Sequence, residues 1–245
     1  MTARGFAAVL QREGHAGGRR GFTVALIGCD GAGKTTVARA LERATGLPVR
    51  YLYMGVSVES SNRQLPSTRV AHAIKRRAAT TRRHAPAEPG RAPPPHGVRR
   101  ACRAGRSALR LANRLAEEWY RQLIAQVFLT RGSIVVFDRH FLADYHAFDV
   151  AGAGRPLSRR IHGWMLMHAY PRPDLVVLLD APPEVLFARK GEGTLASLAR
   201  RREDYLGLAD AAGIDRSFAV VSATQPVDAV VADVATIVRE AATGR

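Results

Sequence analysis

Five short apolar runs punctuate the chain: FTVALI at 22–27, VRYLYM at 49–54, IVVF at 134–137, LVVLL at 175–179 and FAVVS at 218–222. FTVALI, IVVF and LVVLL have the form of strands buried on both faces of a parallel sheet; VRYLYM can be a second strand and FAVVS a last one. Helical spacing fills the intervals. Val37, Ala38, Leu41 and Ala44 share one face and stop at Gly46-Leu47-Pro48. From about Ser107 a long amphipathic helix is expected, because Leu109, Ala112, Leu115, Trp119, Leu123 and Val127 recur at three- and four-residue intervals as far as Arg131-Gly132. This stripe, with Trp119 in it, predicts the face that packs. Further helices are expected over 157–169 (broken by Pro171 and Pro173), from Pro183 or Glu184, and over 226–241. Strands alternating with helices predict an α/β fold with a parallel sheet flanked by helices on both faces.

Charge changes this picture in two places. The formal net charge is +16, yet residues 63–110 hold thirteen Lys/Arg against one acid, Glu88, and residues 1–21 hold four arginines against Glu13. The remainder is close to neutral. Residues 1–21 therefore read as a flexible basic arm, and 22–245 as a single domain carrying a basic Arg/Pro-rich insertion at about 63–106. Within it 67–83 suits a basic helix, whereas 84–97 contains five prolines and reads as a loop or linker. No run of eighteen apolar residues occurs, and no transmembrane segment is expected. Two cysteines without metal-type spacing suit a reducing, cytoplasmic setting.

Chemistry enters at Gly28-Cys29-Asp30-Gly31-Ala32-Gly33-Lys34-Thr35, which fits G-x-x-x-x-G-K-[ST] between an expected strand and an expected helix. Such a loop turns backbone N–H groups toward phosphate oxygens, and the following helix adds the positive end of its dipole. Gly28, Asp30, Gly31, Ala32, Gly33, Lys34, Thr35 and Thr36 are the expected ATP-binding residues. Lys34 would neutralise β- and γ-phosphate charge, and the Thr35 hydroxyl would ligate Mg²⁺. The fold expected is thus the three-layer P-loop NTPase fold. Asp30, Asp138-Arg139 and Asp180 fall at strand ends, along the rim where open α/β sheets bind ligands. The alternative for each aspartate is a turn or capping role.

Three segments together resemble the bacterial thymidylate kinases of the nucleoside monophosphate kinase group: GCDGAGKTT, VVFDRH and PDLVVLLDAPPEVLFARK with the Arg/Lys-rich stretch after it. The resemblance spans 22–54 and about 112–243. It implies an ATP-dependent phosphotransferase that moves the γ-phosphate of Mg·ATP to a nucleoside monophosphate, with dTMP the first choice. It implies that Asp30 holds the acceptor sugar hydroxyl, that Asp138 acts near Mg²⁺ or the acceptor phosphate, and that Arg139 binds that phosphate. Arg189 and Lys190, with Arg200, Arg201 and Arg202, fall in the mobile lid segment. Lys34, Asp138, Arg139 and Arg189 are then the catalytic candidates, and Thr35 and Asp138 the metal ligands. Some members place a catalytic arginine in the loop where this chain has Gly31, so the lid must supply that cation. Members are commonly dimers.

Two departures accompany the match. Met54-Gly55-Val56-Ser57 stands where the family usually has Arg-Glu-Pro-Gly, and the 63–106 region has no counterpart. Phe141, Tyr145, His146 and Phe148 could line the acceptor site, Tyr145 foremost, or pack in the core. Asp144 and Asp149 could be acceptor ligands or solvated acids. His140, His162 and His168 lack ligand spacing and read as structural. Two other readings stay open: a kinase of this type acting on another phosphorylated metabolite or sugar, and an ATP-dependent binding or regulatory protein docking anionic partners through the basic insertion. Aromatic residues are absent from 63–110, which argues against base stacking there.

Overall fold

The computed structural model of the chain describes residues 21–55, 65, 96–141, 149, 154–212 and 218–244. Among these, five strands form one sheet: β1 (Thr23–Ile27), β2 (Val49–Tyr53), β3 (Ile134–Asp138), β4 (Leu175–Asp180) and β5 (Phe218–Ser222). All pair in parallel, in the order β2-β3-β1-β4-β5. Six helices surround them: α1 (Lys34–Ala44), α2 (His96–Thr130), α3 (Leu157–His168), α4 (Pro183–Lys190), α5 (Leu195–Ala212) and α6 (Val227–Thr243).

Because successive strand residues point to opposite faces, the continuous apolar runs serve two cores at once. Val24, Leu26, Val136, Val177 and Leu179 pack with Val37 and Leu41 of α1 and Val234 and Val238 of α6. Ala25, Ile27, Val135, Phe137 and Leu178 pack on the other side with Ala125 of α2, Leu166 of α3, Phe141 and Tyr170. The result is the expected three-layer P-loop architecture. The first strand lies at the centre, with β3 on one side and β4 on the other, so the chain departs in opposite directions beyond it. Register aligns Leu26 with Asp138 and Ile27 with Leu178. Gly28, Asp138 and Asp180 therefore reach one rim, at the switch point where such sheets hold ligands.

Two expectations are corrected. The long helix begins at His96, eleven residues before Ser107, and takes up the C-terminal end of the basic insertion. Arginine and alanine sustain helix there without an apolar stripe to announce it. Its stripe is also not its packing face: Leu109 is 72% exposed, Leu123 62%, Val127 46% and Trp119 37%. The buried face instead carries Glu117, Glu118, Arg121, Gln122 and Ala125. Periodicity counts polar residues as solvent-facing, but charged groups can be buried when they pair. Residues 189–206 form the end of α4, a turn through Gly191 and Gly193, and the first part of α5.

Candidate functional site

The phosphate loop closes between β1 and α1. Gly33 caps the helix at φ 85°, a left-handed conformation that few side chains adopt. A Cβ there would meet nothing within 4 Å, so the requirement is conformational. At Gly31 it is also steric: φ is 93°, and a Cβ would lie 2.7 Å from the Leu186 carbonyl oxygen of α4. That approach excludes an arginine at this position. Lys34 is buried and donates from Nζ to the carbonyls of Gly28 (2.8 Å) and Cys29 (2.7 Å), so it folds back along the loop. Thr35 and Thr36 are exposed in the first turn of α1. Burial pushes the Cys29 thiol up, against the lowering effect of Lys34 and Arg201, which keeps it protonated and inert.

Asp30 is the electrostatic centre of the rim. Its carboxylate accepts from Arg139 at 2.6 Å and from Arg201 at 3.0 Å, with Lys190 Nζ 3.9 Å away. Partial burial alone would raise this carboxyl, but the charges of Arg139, Lys34 and Lys190 hold it below the usual carboxylate range. One acid thus joins the strand-end arginine to a cation of α4 and one of α5. Arg139 reaches it from a strained turn, as the single non-glycine residue with positive φ (70°) among the described residues.

Asp138 is fully buried. Its Oδ2 accepts from the Tyr51 hydroxyl at 3.1 Å, while Oδ1 has no hydrogen-bond partner among the described residues. Tyr51 is pushed up to about 12, first by burial and then by the Asp138 charge. His140, next to Arg139, is buried between the Phe137 and Phe141 rings and pushed down to about 4 by burial, so it is neutral.

The other candidate residues are distributed unequally. Lys190 and Arg201 face Asp30, whereas Arg189 donates to the Ala223 carbonyl at 2.8 Å, beyond β5. Arg202 grips Asp180 through two bonds of 2.7 and 2.8 Å, and Arg200 is exposed. Tyr145, Asp144, His146 and Phe148 lie outside the described residues, as do the N-terminal arm and most of the 63–106 region. Phe141 and Asp149 are buried, so the core-packing alternative holds for the phenylalanine, and the aspartate is not a solvated acid.

Sequence reasoning missed the polar face of α2. Arg121 Nη1 donates to the Gly55 carbonyl at 2.9 Å, its guanidinium carbon lies 6.0 Å from the centre of the Phe141 ring, and Glu117 stands 3.8 Å away. Gly55 itself lies against the Arg139 side chain, so Arg121 adjoins the site. The available signal was the charged spacing 114, 117, 118 and 121, which places those residues on one helical face.

A hard divalent cation accepts one or two carboxylates, hydroxyls and phosphate oxygens and keeps several waters. Exposed Thr35, at the start of α1, and Asp138 with its unpartnered Oδ1, at the end of the adjacent strand, suit that demand. Among the described residues no group of three or more His, Cys, Asp or Glu forms a protein-only metal cage. No described helix is long and apolar enough to cross a membrane.

No family model matches the chain. Curated relatives do. It is 29% identical to the thymidylate kinase of Xylella fastidiosa (strain M12) over 197 residues, covering 77% of this chain and 75% of the relative. It is 34% identical to the thymidylate kinase of Xanthomonas euvesicatoria pv. vesicatoria (strain 85-10) over 170 residues, 69% of this chain and 60% of the relative. The thymidylate kinase of Xanthomonas oryzae pv. oryzae (strain PXO99A) matches at 33% over the same length. The all-parallel sheet flanked by helices is consistent with these relatives, and the matches support a thymidylate kinase family assignment, that of ATP-dependent nucleoside monophosphate kinases.

Proposed function

We propose that the protein transfers the γ-phosphate of Mg·ATP to a nucleoside monophosphate, with dTMP as acceptor. The observation that carries this is the 2.6 Å contact from Arg139 to Asp30, which sets a strand-end guanidinium beside the phosphate loop. Phosphoryl transfer asks the protein mainly for positioning and for cations around the moving group. ATP supplies that group when bound, held by the loop amides, by the dipole of α1 and by Lys34. Thr35 and Asp138 hold Mg²⁺. The Arg139 guanidinium, a planar fork of donors, holds the acceptor phosphate. Lys190 and Arg201 neutralise charge on the phosphoryl group from the lid, in the role that Gly31 cannot fill. Asp30, kept ionised by its neighbours, accepts the acceptor's sugar hydroxyl. Arg189 serves from the β5 side, where it is tied to Ala223. Tyr145 is kept as a candidate acceptor contact, in a cytoplasmic enzyme of nucleotide supply.

A second acceptor class is favoured by one observation. The Gly55 carbonyl, in the segment that replaces the family's Arg-Glu-Pro-Gly, is engaged by buried Arg121 instead. That rearrangement suits a different phosphorylated metabolite or sugar. ADP release over a panel of nucleoside monophosphates and sugar phosphates separates the two. Turnover with dTMP well above the ATP-only background supports the first reading, and silence across the nucleotides with turnover of a sugar phosphate supports the second. Arg139→Ala is expected to raise the acceptor KM about a hundredfold, the loss of a charge-assisted contact, with the KM for ATP unchanged.

The exposed stripe of α2, beside exposed Leu157, Ile161 and Trp164 of α3, is the face on which a homodimer would form. Light scattering across a dilution series tests it. The basic insertion is the candidate surface for an anionic partner, and binding that vanishes as salt is raised is its signature.

A further inference from the structure

Arg139 holds a left-handed backbone that strains a residue with a Cβ and persists only where its surroundings over-determine it. Part of that support is local: the Arg139 amide donates to the Leu26 carbonyl at 3.2 Å, and the Met54 amide donates to the Asp138 carbonyl at 3.0 Å. Beyond it lies a buried polar chain that the phosphotransfer chemistry does not use. Two residues after Arg139, the ring of buried Phe141 lies 5.8 Å from that of Tyr170, centre to centre. The Tyr170 hydroxyl donates to Glu118 Oε2 at 2.8 Å. His162 Nε2 sits 2.9 and 3.0 Å from the two Glu118 oxygens, and its Nδ1 sits 2.6 Å from Asp149 Oδ2. His162 is wholly buried, and both carboxylates are nearly so.

Asp149 is held from several sides. Arg114 donates to Oδ2 at 3.2 Å, Arg159 stands 3.6 Å from Oδ1, and Arg155 donates to the main-chain carbonyl. Gly163 lets α3 approach that same carbonyl so closely that a Cβ would overlap it. The imidazole presents one ring nitrogen to each carboxylate. The imidazole thus joins two acids that would otherwise repel, and with them α2, α3 and the chain beyond the Asp-Arg turn.

We propose that His162 is a positioning residue for Arg139: clamped between Glu118 and Asp149, and linked through Tyr170 to Phe141, it keeps the strained turn aimed at the acceptor phosphate. The kinetic consequence rests on the acceptor assignment made above, and the mechanical one does not. Both are read from His162→Gln in the full-length protein. Amide exchange over 137–141 is expected to quicken about tenfold while 23–36 keep the wild-type rate. The KM for dTMP is expected to rise about tenfold with the KM for ATP unchanged, since small misplacements of a positioned group cost this much or more. Introduced into Arg139→Ala, the change is expected to add nothing to the dTMP KM, because the two act as one unit.

Tyr170→Phe keeps the ring on Phe141 and removes only the hydroxyl, so it reports on the chain even where His162→Gln fails to fold. Its expected effect is the same pattern, about threefold in size. Wild-type exchange at 137–141 in both variants overturns the proposal, and so does an increase shared equally with 23–36. If the wild-type enzyme turns over no nucleoside monophosphate while the exchange pattern appears, His162 keeps its positioning role and the acceptor assignment falls.

Discussion

The phosphate loop and the buried face of α2 border the same site, but they are built on opposite principles. The loop is built through its backbone: glycines hold conformations that side chains refuse, and one lysine and two threonines follow them in sequence. The α2 face works through side chains drawn together from distant parts of the chain. Glu118, Asp149, His162 and Tyr170 are up to 52 residues apart and meet within 3 Å of one another's polar atoms. A local backbone device must announce itself in consecutive residues, whereas a packed polar network has no such obligation.

The largest effect expected on this contrast falls on the loop. Lys34→Ala should lower ADP release about a thousandfold, or about 4 kcal/mol of barrier, by removing charge stabilisation from the phosphates. Melting temperature should barely move, and a collapse in stability would mean instead that the bonds from Lys34 to Gly28 and Cys29 hold the loop together.

Next comes His140, buried between the two regions and neutral, with its titration pushed down to about 4. As pH falls below the ordinary histidine value, the unfolded chain binds a proton that the folded one refuses. Stability is therefore full above about pH 6.5 and is lost toward pH 4, by up to about 3 kcal/mol. In His140→Phe that portion of the acid sensitivity should disappear. Urea midpoints at pH 7 and pH 4.5 measure it, and equal losses in wild type and variant would place the sensitivity elsewhere.

The smallest effect is expected on the exposed stripe. For the monomer, Leu123→Ala should cost about 0.5 kcal/mol or less, as exposed positions do. A loss of about 2 kcal/mol or more that depends on protein concentration would show that a second copy covers the stripe.

The polar ends of strands also divide along this line. Asp138-Arg139 and Asp180 were legible because an acid closing a buried apolar run has few reasons to be there. Which cation each would meet was not legible. Arg201 and Lys190 turn to Asp30, Arg202 turns to Asp180, and Arg189 turns away to Ala223, although all four look alike in the chain. Helical phase explains this: neighbours on a helix point about 100° apart, so adjacent cations address different partners.

What the sequence by itself determined is the strand set, the layered class and the phosphate loop, since continuous apolar runs and glycines at fixed spacing act over a few residues and tolerate no other local solution. Only the tertiary structure decided which face of α2 is buried, why Gly31 cannot carry a side chain, and which acids and cations pair. Those outcomes depend on a carbonyl of α4, a histidine of α3 and an aspartate beyond β3 arriving at the same place. Burial of charge is favourable only once every partner is present, and a single strand or helix cannot supply them.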